Sequence, residues 1–100
     1  MGARRLIVRA SARKHGVTDE DAVAAARSPL VAGPLDDENR QRELRIGFDT
    51  QARLLEIVVL VWDDGTEEVI HAMRCRPQYQ DLLDQEPSFT RSERTRGSRE

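Results

Sequence analysis

In the run His71-Ala72-Met73-Arg74-Cys75-Arg76-Pro77-Gln78-Tyr79, a histidine, two arginines and a tyrosine fall within one short segment. On extended backbone alternate residues share a face, so Arg74 and Arg76 stand side by side with Ile70 and Ala72, while His71, Met73 and Cys75 face the other way with Val69. Two adjacent guanidinium forks match the oxygens of a phosphate, and histidine is the side chain that exchanges a proton near neutral pH. Carboxylates of the acidic loop Asp36-Asp37-Glu38, or of the Asp63-Asp64 turn, would account for the same arginines by simple pairing. His71 also reads as a satisfied core or edge histidine, and a bulge would slip the alternation by one residue.

A second set of cations precedes the first helix. Residues 1–16 carry Arg4, Arg5, Arg9, Arg13 and Lys14 with no acid, whereas residues 17–70 carry thirteen acids against five bases. The formal net charge of −2 therefore hides an electrically split chain, whose two basic ends can meet on one side of the fold. Ordinary solvated surface explains the same split equally well. Ser11 and His15 lie at helical spacing, but no acid is placed to orient the histidine as a hydrolase triad requires. There is no glycine-rich phosphate loop and no paired Cys or His at metal spacing, so no metal and no cofactor are expected. Glu56 interrupts an apolar run, and pairing with an arginine is the expected fate of its charge. The single Cys75 excludes an internal disulfide and reads as a small buried apolar side chain, in keeping with a reducing compartment. Neither a signal-peptide core nor a membrane span is visible at the N-terminus, so the expected localisation is cytoplasmic, with no membrane partner.

The elements that must position these residues follow from periodicity and punctuation. Leu6-Ile7-Val8 is a short apolar start; Ser11 caps a helical turn or two ending at Gly16. Thr18 caps a second helix whose first turn holds Asp19, Glu20 and Asp21, where the helix dipole favours negative charge, and Ser28-Pro29 stops it. Residues 31–42 read as loop, with Gly33, Pro34 and the acidic cluster. Leu44, Ile46 and Phe48 alternate with Arg45, Gly47 and Asp49 as in a half-buried strand, and Leu54 to Trp62 reads as a central strand covered on both faces. Asp63-Asp64-Gly65 turns the chain into a third strand from Glu67 to Arg76, which Pro77 ends. Gln78 to Leu83 forms a short helix with Tyr79, Leu82 and Leu83 on its apolar side. The fold class is therefore α+β: N-terminal helices packed on a small antiparallel β-meander, a short C-terminal helix, and a disordered polar tail. One domain over 1–83 and a tail over 84–100 are expected.

Ala12-Arg13-Lys14-His15-Gly16-Val17 before an acidic helix start, Gly47 in a strand, Arg53-Leu54-Leu55-Glu56-Ile57-Val58-Val59, and Ile70-His71-Ala72-Met73-Arg74 together resemble the BrnT family, toxins of type II toxin–antitoxin modules related in fold to the RelE ribonucleases. The resemblance spans roughly residues 4–80. The chain differs from that pattern at Cys75, where the family has a basic residue, and at Pro77. The resemblance implies metal-free RNA cleavage, a cognate antitoxin as partner, and a homo- or hetero-oligomer with it. Under that reading Arg74 and Arg76 stabilise the charge developing at phosphorus, and His71 or His15 serves as acid or base. Tyr79 stacks on a base or assists proton transfer, and Arg13, Lys14 and Arg9 contact flanking phosphates. The competing expectation is a non-catalytic protein-binding module, or an inactivated toxin homologue, docking a partner through the bare face or edge of a three-stranded sheet.

Overall fold

The computed structural model describes residues 5–35 and 41–84. Its elements are β1 (Leu6–Val8), a 3-10 turn at Ala10–Arg13, α1 (Asp19–Arg27), β2 (Pro29–Pro34), β3 (Arg42–Phe48), β4 (Leu54–Val61), β5 (Glu67–Arg74) and α2 (Pro77–Asp84). The expected disordered tail lies, apart from Asp84, outside the described residues, as does the acidic cluster Asp36 to Asn39.

The three strands read from the sequence form an antiparallel meander, β3-β4-β5. Two further strands extend it into a five-stranded mixed sheet of order β1-β5-β4-β3-β2. β1 pairs parallel to β5, with Leu6 opposite Glu67, and so corrects the reading of an unassigned apolar start. β2 pairs antiparallel to β3, and so corrects the reading of a loop. Its prolines pointed to a loop because proline cannot serve a ladder on both sides. β2 is an edge strand bonded on one side only, and Pro29 and Pro34 stand at its two ends.

α1 starts where its cap requires, with the Thr18 hydroxyl accepting the Asp21 N–H. The turn at Ala10–Arg13 is not a Ser11-capped helix: Ser11 lies within it and donates its hydroxyl to the Ile70 carbonyl, tying the turn to β5. Asp64 Oδ1 accepts the Thr66 N–H in the β4–β5 turn, where Gly65 takes a φ of 91°, a conformation that costs glycine least.

Both faces of the sheet are covered. Ala22, Ala25 and Ala26 of α1, with Ala12, pack on Leu55, Ile57, Val59, Val69 and Ala72. On the other face Leu44, Ile46, Val58 and Cys75 pack under Tyr79, Leu82 and Leu83 of α2. The bare sheet face expected of a docking module is therefore absent among the described residues. β3 is also not half-buried. Leu44 and Ile46 face α2, but Arg45 and Gly47 are buried on the α1 face, and Phe48 is exposed. Gly47 is required there, because a Cβ would lie 2.6 Å from the Ala25 carbonyl oxygen.

Candidate functional site

A register shift in β5 decides where the chemistry sits. Val58 pairs with His71 and Val59 with Val69, leaving Ile70 as the extra residue of a bulge. Val69 and Ala72 pack against α1, while Ile70 packs into the core under α2. His71, opposite Val58, is thereby turned to the α2 side, the same side as Glu56.

Glu56 is 1% exposed in the middle of β4. Its carboxylate accepts His71 Nε2 at 3.0 Å, the Arg76 backbone N–H at 3.0 Å, Arg76 Nε at 3.0 Å and Arg76 Nη2 at 2.7 Å. Burial pushes the Glu56 carboxyl up, but the hydrogen bonds from Arg76 and His71 outweigh it and hold the carboxyl below its ordinary value. Glu56 is therefore a carboxylate at neutral pH and only accepts hydrogen bonds. The expected pairing of Glu56 with an arginine is what the structure has, and the sequence left open which arginine.

The expectation that Arg74 and Arg76 stand side by side is corrected. Arg76 lies beyond the end of β5 and folds back on Glu56, with its guanidinium 5.3 Å from the Tyr79 ring centroid. Arg74 pairs with Leu55, whose side chain lies in the α1-side core. The Arg74 side chain is exposed and has no hydrogen-bond or ion-pair partner among the described residues. Tyr79 is half-buried, packed against the α2-side core and covered by Arg76. It belongs to the support of the site more than to an open stacking platform.

His15, on the exposed turn ending at Gly16, meets His71 edge to face with ring centroids 5.6 Å apart. Two histidines far apart in sequence are thus brought together by the docking of the N-terminal segment on β5. The neighbouring cations have different fates. Arg13 forms a two-pronged pair with Asp19, and Arg9 pairs with Glu68. Lys14 is exposed with no partner among the described residues. Two of the three phosphate contacts expected of the N-terminal run are therefore already matched by carboxylates, in exposed pairs that an anion can compete for. Cys75 is buried, as expected, and its burial pushes the thiol up, away from reactivity.

A second polar network braces the start of α1 against the β3–β4 turn. Asp21 accepts the Thr50 hydroxyl and N–H and Arg53 Nη2, while Asp49 accepts Gln51 N, Arg53 N and Arg53 Nε. The Thr50 hydroxyl is the main cause holding Asp21 low. Asp49 is held low by hydrogen bonds from Arg53 and Gln51 that outweigh its burial. With Glu56 these carboxyls take up protons less readily folded than unfolded, so their stabilisation is present above the ordinary carboxylate value near 4 and is lost as pH falls through the lower folded values. The melting temperature is therefore expected to fall as pH drops below about 4, with a shallower fall in Asp49→Asn. An equal slope in that variant would refute the assignment.

A cleft of about 470 Å³ opens towards the other end of β5, over Arg45 and Glu67 and between Leu6, Ala26, Pro29 and Ala32. None of the side chains expected to act on RNA lines it. No helix among the described residues is long and apolar enough to cross a membrane. Compared with protein-family models, with curated proteins and with solved structures, the chain matches none.

Proposed function

We propose that this chain is a toxin of a type II toxin–antitoxin module, an endoribonuclease that cuts RNA with its own side chains and is neutralised by a cognate antitoxin. The observation that carries the reading is the meeting of His15 and His71 at 5.6 Å, with His71 bonded to a fully buried carboxylate. RNA brings its own nucleophile, the 2'-hydroxyl. Cleavage then needs a base for that proton, an acid for the leaving 5'-oxygen, and cations for the charge at phosphorus. Two adjacent histidines supply the first two. Lys14, next to His15 in sequence, and Arg74, three residues on from His71 at the end of β5, have side chains without partners among the described residues and are assigned the third. Arg76 contributes by clamping Glu56. The sequence resemblance to BrnT toxins supports the same reading and adds the antitoxin.

The test is induced expression in a bacterial host, with growth and total RNA followed together. Growth arrest with fragmented RNA is the expected result, and Arg74→Ala is expected to relieve both while remaining folded. Normal growth and intact RNA, from a chain shown to be folded, would overturn the proposal.

A further inference from the structure

The Glu56–His71 contact assigns roles that a pair of histidines alone leaves open. Neutral imidazole carries its proton on one nitrogen, and the hydrogen bond made by one nitrogen fixes the state of the other. Glu56 has no proton to give, is 1% exposed, and is held rigidly by three donors of Arg76 besides the imidazole. A carboxylate acceptor 3.0 Å from Nε2 requires that nitrogen to carry the hydrogen. The other nitrogen, Nδ1, is then the bare one.

We propose that Glu56 is a positioning residue that locks His71 in its Nε2–H form, making Nδ1 of His71 the proton acceptor of the site and leaving His15 as the proton donor. The catalytic meaning of this assignment rests on the ribonuclease reading, whereas its geometry does not. In the reaction, His71 Nδ1 takes the 2'-hydroxyl proton while the 2'-oxygen bonds to phosphorus. The bond from phosphorus to the 5'-oxygen breaks, and that oxygen takes a proton from the His15 imidazolium. The products are a 2',3'-cyclic phosphate and a 5'-hydroxyl, with no metal or oxidant consumed. Holding the imidazole in one tautomer and one orientation is the service a buried acid performs for histidine in hydrolase triads.

The experiment is a long-range proton–nitrogen correlation spectrum of the nitrogen-15-labelled full chain at about pH 9, where ordinary imidazoles are neutral. Wild-type His71 is expected to show a protonated Nε2 and a bare Nδ1. The pattern is expected to persist in Glu56→Gln, whose amide oxygen still accepts, and to collapse to a mixture of forms in Glu56→Ala. A bare Nε2 in the wild type overturns the assignment whether or not the variants fold, and so does an unchanged pattern in a folded Glu56→Ala. If the chain cleaves RNA, Glu56→Ala should lower kcat at least tenfold with KM little changed. A chain with the expected His71 form that leaves RNA intact overturns the ribonuclease reading and keeps the positioning assignment.

Discussion

Arg45→Ala is expected to destabilise the fold by about 3–5 kcal/mol, the usual cost of stripping one partner from a buried ion pair. The Arg45 side chain is 10% exposed and that of Glu67 7%, and the two meet through parallel bonds of 2.9 and 3.0 Å. Arg45 also bonds the Ala26 carbonyl near the C-terminus of α1, where the helix dipole favours a cation, and Glu43 at its rim. Removing the guanidinium strips the buried Glu67 carboxylate of its two-pronged cation and the Ala26 carbonyl of a donor, which is why the loss exceeds that of a surface pair. Domains of this size hold on the order of 5–15 kcal/mol in total, so the variant should unfold at much lower urea. The double variant Arg45→Met, Glu67→Leu is expected to recover much of the loss, because the buried carboxylate deprived of its guanidinium is replaced by an apolar side chain. Equal destabilisation in both would mean that the interaction is not what holds α1 to the sheet.

His71→Ala is the functional counterpart, expected to reduce RNA cleavage by about 10²–10⁴-fold, the usual contribution of a positioned acid or base. A substrate whose 5'-oxygen is replaced by a better leaving group needs no acid, so on it His15→Ala should recover most of its activity while His71→Ala stays impaired. The reverse pattern would invert the roles; full activity in both variants on the ordinary substrate would remove both residues from the chemistry. Because His71 is 29% exposed at its side chain, the change should cost little stability, and thermal melting checks that activity was lost for the intended reason.

The meander was legible because its signals are local. Hydrophobic runs, an Asp-Asp-Gly turn and a closing proline need no knowledge of partners. The flanking strands were not. Leu6 to Val8 becomes a strand only by lying beside Glu67 to Val69, and Pro29 to Pro34 only by serving as an edge. The same distinction runs through the site. His15, His71, Arg74, Arg76 and Tyr79 stood out by type, but the bulge at Ile70 and the backward fold of Arg76 determine which of them meet. Alternation placed the two arginines together. The bulge moves Val69 and Ile70 off the expected alternation and keeps His71 on the face of Glu56, while Arg76, beyond the end of the strand, leaves Arg74 by folding back on that same carboxylate. Glu56 was visible as a lone acid in an apolar run, and its role as the hub was not, since neither of its partners is near it in sequence. Alternation in β3 suits a strand with one wet face, whereas here α1 covers the face that carries Arg45.

The parallel pairing of β1 with β5 also fixes when the site can exist. Hairpin contacts among β3, β4 and β5 join neighbours in sequence and can close early, but Ser11 and Ile70 are 59 residues apart, and such closures follow local ones. During synthesis the segment carrying His15 leaves the ribosome first and must wait for the strand carrying His71, which comes near the end of the folded part. A nascent chain therefore lacks the histidine pair until the strand carrying His71 has emerged, and any activity that depends on the pair waits for that strand, however early the segment carrying His15 appears.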